Sequence, residues 1–164
     1  MSVANEPIVI NTSPLLALAA CDQLELLRRL HRRVVVPHAV ITELERGQAK
    51  PLALEVERPA WLEVAALASA PSPLLAAYLD AGEAAVIALA VEQGIRRVVI
   101  DERRARMVAK TMGLEVTGSI GVLLRAKSGG LLAEIKPSIE AMQARGIRLS
   151  ERLLEFALRA AGEA

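Results

Sequence analysis

Residues Ile8 to Ser13 read IVINTS, three β-branched residues stopped by Asn11, Thr12 and Ser13, with Pro14 next. A run of this kind reads as a buried strand that ends in a polar tip and hands over to a helix. The pattern recurs at Val98 to Asp101, VVID, where the tip is a carboxylate. In open α/β sheets, binding and chemistry collect just outside the carboxyl ends of the strands. Asn11 and Asp101 are therefore the first two residues to place in a site.

Outward from this strand, Ser13 reads as the N-cap and Pro14 as the first residue of a helix over Leu15–Ala20. Asp22 and Glu25 have capping-box spacing and open a second helix, with Leu24, Leu27 and Leu30 at helical period and Arg28, Arg29, Arg32 and Arg33 on other faces. Val34–Val36 is a second strand closed by Pro37. A helix over Ala39–Arg46 follows, with Glu43 beside its apolar seam and Gly47 as its stop. Prolines interrupt the stretch from Gln48 to Pro73, which retains a short strand at Leu62–Ala65.

A short helix over Leu74–Leu79 leads to a longer one over Gly82–Gln93. Its run from Ala84 to Val91 is apolar on every side, the mark of a core helix, and Gly94 stops it. Strand Arg97–Ile100, helix Glu102–Met112, strand Leu114–Val116 and a helix to Lys127 come next, then helices over Leu131–Ala144 and Ser150–Ala161. Strands alternating with helices predict an α/β fold with a mainly parallel sheet and right-handed crossovers.

The 164 residues, 53% of them apolar, suffice for one domain over 1–164, with the C-terminal helices of about 131–161 packed on it. A net charge of +1 excludes a DNA-coating protein or an acidic tail, so nucleic-acid binding would rest on local patches. One cysteine, Cys21, excludes an intramolecular disulfide framework. No apolar run is long enough to span a bilayer, and the expectation is a soluble cytoplasmic protein without membrane contact. With Trp61, Tyr78 and Phe156 as the only aromatics, base stacking is not expected to dominate recognition.

Chain polarity then places the carboxylates. The helix bearing Asp80 and Glu83 at its start precedes the strand ending at Asp101, and the helix bearing Glu43 follows a strand. Asn11, Glu43, Asp80, Glu83 and Asp101 are thereby predicted to face one another across one cleft. Clustered carboxylates repel unless a cation neutralises them, and oxygen donors without His or Cys select Mg²⁺ or Mn²⁺. Such a site suits phosphodiester hydrolysis. Thr117, Ser119 and the basic cluster Arg103, Arg104, Arg106 and Lys110 are candidate phosphate contacts. Plainer roles exist for each: a capping box for Asp80 and Glu83, an N-cap for Asp101, a pair with Arg46 for Glu43, and a solvated helix face for the arginines. His31 and His38 have no ligand partners at useful spacing.

The chain, through the ordered blocks INTSPLLALA, VVVPHAVITEL, LDAGEAAVIALA and VVIDERRARMVAKTMGLEVTGSIGVLL, resembles the PIN-domain superfamily, a match that spans residues 8 to about 161. The nearest likeness is to a PIN-like subgroup with S-P-L, L-D-x-G-E and V-T-G-[ST]-x-G-[LV]-L blocks. The resemblance implies a Rossmann-like three-layer α/β/α sandwich and Mg²⁺- or Mn²⁺-dependent ribonuclease chemistry. It also implies RNA as partner and, commonly, a toxin role beside a small antitoxin in a homodimer. The family's acidic positions fall on Asn11, Glu43, Glu83 and Asp101, with Ser13 and Ser119 as polar neighbours. Asn11 departs from the usual Asp: the amide keeps a carbonyl oxygen for coordination and removes one negative charge. A PIN-fold module that binds RNA or a protein without cleaving is the alternative.

Overall fold

The computed structural model describes residues 6–46 and 58–164. The strands are β1 (Ile8–Ile10), β2 (Val34–Pro37), β3 (Leu62–Ala65), β4 (Arg97–Val99) and β5 (Glu115–Thr117). The helices are α1 (Thr12–Ala20), α2 (Glu25–Leu30), α3 (His38–Glu45), α4 (Pro73–Tyr78), α5 (Ala81–Gln93), α6 (Arg103–Thr111), α7 (Ser119–Ser128), α8 (Lys136–Ala144) and α9 (Glu151–Ala160). All pairings are parallel, in the order β3-β2-β1-β4-β5. The predicted three-layer α/β fold is thus present, and IVI lies in the middle of its sheet.

The centre is built from the residues that periodicity marks as apolar. Ile8, Val9, Ile10, Val35, Val36, Val98 and Val99 have no exposed surface. Truncating one of them, as in Ile10→Ala, removes roughly 2–5 kcal/mol through lost transfer energy and the cavity left behind. α5 packs on β1, β2 and β4 with α3, α4 and α6 beside it. Its Val86, Ile87, Leu89 and Ala90 are fully buried, while Val91 at the end of the apolar run turns out to solvent. α1, α2, α8 and α9 assemble around α7 or one another to form a second layer.

The order reverses at β1: β2 and β3 lie on one side of it, β4 and β5 on the other. The carboxyl ends of β1 and β4 therefore border the topological switch point, where open α/β sheets leave a crevice. Asn11 and Asp101 follow those two strand ends.

Several predicted boundaries move for local reasons. α1 starts at Thr12, so Asn11 rather than Ser13 is the N-cap and Pro14 is the third helical residue. Asp22 adopts a left-handed conformation (φ 56°) and cannot serve as the N-cap of α2. It instead ends α1, with Gln23 N–H donating to Leu18 O (2.8 Å) and Asp22 N–H to Ala19 O (3.1 Å), a Schellman pattern. α8 starts at Lys136 rather than Leu131, because Pro137 favours a first turn and disfavours helix before it. The first α8 amides are met from a distance: Glu163 accepts from Ile135 N–H (2.9 Å) and Lys136 N–H (3.0 Å). The strand at Leu62–Ala65 is as predicted, pairing with β2. The expected stop at Gly47 lies outside the described residues.

Candidate active site

Asn11 shows how local sequence sets the site. At an N-cap, its side chain would ordinarily accept the amide of the second or third helical residue. Here the third residue is Pro14, which has no N–H, and the Asn11 side chain makes no cap hydrogen bond. Only 5% of Asn11 is exposed, and its Oδ1 has no donor. A buried acceptor in that state costs about 1–3 kcal/mol, and such groups concentrate at functional sites.

On the β2 side of Asn11 stands Glu43. Its Oε2 accepts the Thr12 hydroxyl at 2.6 Å, and its carboxylate occupies the space a side chain at Gly82 would take. The glycine of the D-x-G-E block therefore admits the α3 carboxylate against the first turn of α5. The expected Arg46 pair is replaced by this bond to Thr12. Glu83 and Asp80 form the capping box: Glu83 N–H donates to Asp80 Oδ1 (2.8 Å) and Asp80 N–H to Glu83 Oε1 (3.1 Å). Capping and clustering are not exclusive, because one oxygen of Glu83 serves the helix and the other stays free for a ligand. Burial pushes the Glu83 carboxyl pKa up, opposed by the Asp80 amide, and the negative charges of Asp80, Glu102 and Glu43 push it further.

On the β4 side, Asp101 is not the N-cap of α6. Glu102 takes that role, accepting from Ala105 N–H at 3.0 Å. Asp101 is left to reach across to α7, where its Oδ1 accepts the Ser119 N–H at 2.7 Å. Gly118 permits the approach: a Cβ there would lie 2.6 Å from Asp101 Oδ1 and 2.9 Å from Arg106 Nη1. Asp101 keeps an exposed face toward solvent. Desolvation by the surrounding segments nonetheless raises its pKa, opposed by the Ser119 amide and hydroxyl and by the Arg106 charge.

The predicted residues, joined by Glu102, thus divide into two groups. Glu43, Glu83, Asp80 and Glu102 act on one another over α3 and α5, while Asp101, Ser119 and Arg106 meet at the start of α7. Among the described residues, no three His, Cys, Asp or Glu side chains are grouped so as to hold a metal ion. The donor chemistry does suit a hard divalent cation: every candidate ligand is an oxygen, burial and then the neighbouring carboxylates hold the Glu83 pKa up, and Asn11 Oδ1 is buried without a donor.

A cleft of about 660 Å³ opens beside Asp101. Ser13, Asp101, Glu102, Arg106, Thr117 and Ser119 line it beside the apolar Leu16, Val116, Ile120 and Leu124, and Ile147, Leu149, Leu153 and Phe156 of the C-terminal segment complete it. Ser13, Thr117, Ser119 and Arg106 therefore line one cleft. Arg106 is braced by donating from Nη1 to Ile100 O at 2.9 Å. Arg103 and Arg104 do not join them. They line a second groove of about 710 Å³ with Leu74, Tyr78, Met107 and Met112, between α4 and α6.

Thr12, Glu102 and Phe156 did not emerge from sequence reasoning. The doubled acid of VVIDE was a usable signal for Glu102, because only one of two adjacent acids can cap α6.

The fold is a doubly wound parallel α/β sheet with Asn11 and Asp101 at the strand ends that border its switch point. The chain matches a family model described as a PIN domain over residues 7–163, and it belongs to that family. No curated protein and no solved structure matches it.

Proposed function

We propose that the chain is a Mg²⁺- or Mn²⁺-dependent endoribonuclease. The observation that carries this reading is the crevice at the β1–β4 switch point. There, buried Asn11 with its undonated Oδ1 follows the central strand, flanked in the sheet by β2, which leads to Glu43, and by β4, which leads to Asp101. When bound, a divalent cation supplies Lewis-acid charge at the phosphoryl group and a more acidic water.

The chain's own residues divide the remaining work. Glu43 and Glu83 on one side of Asn11 and Asp101 on the other would hold the cation, with Asp80 fixing Glu83 through the capping box and Asn11 Oδ1 as a neutral donor. A carboxylate of this edge that the cation leaves free would take the proton of the attacking water. The water oxygen bonds to phosphorus, the P–O bond to the leaving nucleotide breaks, and the leaving oxygen takes up a proton. Arg106, Ser13, Thr117 and Ser119 orient the RNA backbone. A small antitoxin and a second copy of the chain are the protein partners this reading carries.

The test is cleavage of mixed RNAs with Mn²⁺ by the purified chain and by Asp101→Asn. Loss of cleavage in the variant is the expected result; equal cleavage by both proteins would overturn the proposal. Asn11 and the separation of Asp101 from the other acids favour one second reading, a PIN module that binds RNA or a protein without cutting. Calorimetry with Mn²⁺ separates the two, since that module takes up no metal at millimolar concentration even as Asn11→Asp.

A further inference from the structure

We infer that the wall of the cleft built from residues 147–156 is a nucleobase subsite, in which Phe156 stacks on one base of the RNA strand whose phosphate lies at Arg106 and Ser119. This rests on the nuclease reading above and adds to it the part of the substrate that the acidic edge does not touch.

The cleft has two unlike walls. One, on α1, β5 and the start of α7, presents hydroxyls and, from α6, an arginine, the groups that meet a phosphate or ribose, set among the apolar Leu16, Val116 and Ile120. The opposite wall is aliphatic and aromatic, with Arg148 between Ile147 and Leu149. A nucleotide has the same division, an anionic backbone beside a flat apolar-faced base. The volume of about 660 Å³ lies within the range of small-molecule sites.

Phe156 is 61% exposed although the neighbouring Ala157 is fully buried, and Leu153, one turn before it in α9, is 36% exposed. The ring is therefore not consumed by the core. It is also the chain's single phenylalanine, and one ring suffices for one base.

The wall is anchored. Glu163, just past α9, accepts from Lys127 Nζ (2.9 Å) and from the first amides of α8, and Lys127 Nζ also donates to Ala161 O (2.6 Å). α9 is thereby tied to α7, whose N-terminus forms the opposite wall. Stacking of a base on an exposed aromatic tolerates any base, so the subsite selects single-stranded over paired RNA rather than a particular sequence.

The test compares two labelled ten-nucleotide RNAs with phosphorothioate linkages, one with all bases and one with abasic residues, by fluorescence anisotropy in Mn²⁺. Cleavage of ordinary RNA is measured in parallel. The wild-type chain is expected to bind the intact strand roughly tenfold or more tightly than the abasic one. Phe156→Ala removes that preference, and Phe156→Trp restores it. Equal affinity for both strands with cleavage of ordinary RNA intact overturns the subsite and leaves the nuclease reading standing. Neither binding nor cleavage overturns both. A concentration-dependent dimer abolished by Phe156→Ala, with no effect of removing bases, assigns the wall to a second copy and overturns the subsite.

Discussion

The two ends of the parallel sheet treat charge in opposite ways. At the amino end, opposite charges are paired near the surface: Arg33 with Glu63 at 2.8 Å, and Arg96 and Arg97 with Glu115 at 3.0 and 2.7 Å. His31, 3% exposed, is buried there with neither ring nitrogen bonded. At the carboxyl end, Glu43, Glu83, Asp80 and Glu102 gather without an arginine partner among the described residues, and each positioned carboxylate is held by a neutral donor. Paired charges settle the fold, whereas like charges held together make it less stable and have to be explained by what they bind.

The largest effect that would break this contrast is on activity. Glu83→Gln keeps the acceptor for the Asp80 amide and removes the charge. It should lower RNA cleavage by about two orders of magnitude or more, several kcal/mol of transition-state stabilisation. The same variant should melt higher than wild type at neutral pH. The folded pKa of Glu83 is raised, so ionising it removes stability as pH rises from the unfolded toward the folded value. A melting scan in which Glu83→Gln is the less stable protein would contradict strain at this edge.

At the other end, His31 sets the next effect. Burial first, then the charges of Arg125 and Arg97, lower its pKa from 6.5 to about 4. Its folded pKa being depressed, stability is lost as pH falls below 6.5, and the loss is complete below about 4. The total is on the order of 3 kcal/mol. His31→Leu should flatten this part of a denaturation series, and an unchanged acid limb would show that His31 does not govern it.

Gly118→Ala sharpens the site side. Its backbone (φ −120°, ψ −177°) suits any residue, but the added methyl displaces Asp101 and Arg106. Cleavage should drop roughly tenfold to a hundredfold with little change in melting temperature, since small misplacements of catalytic groups are costly. Asn11→Asp should tighten Mn²⁺ binding by about tenfold, within the range for altering ligands around a metal, as read by calorimetry. The smallest effect is expected from Glu63→Ala, below about 1 kcal/mol, because the pair with Arg33 is nearly half exposed on both sides.

Much of this was legible locally. IVI and VVV are strands because β-branched runs bounded by polar or proline residues bury well in a parallel sheet, and the structure places them there. The Asp80–Glu83 box is a spacing rule and was readable as one. Asp22 was not, because a left-handed residue ending one helix and a capping residue starting the next look alike in sequence. The same limit applies to Asp101 and Glu102, two adjacent acids of which only the backbone decides the N-cap.

The sequence by itself determined the strand and helix order, the polar strand tips and the oxygen-only donor set, since these follow from short-range periodicity and residue chemistry. Tertiary structure alone decided that β1 is central and that Asn11 and Asp101 share the switch point. It also decided that Arg103 and Arg104 line a different groove from Arg106, and that Phe156 and Asp101 line the same cleft. Those relations join segments far apart in the chain, and they depend on strand order and helix packing that no local pattern encodes.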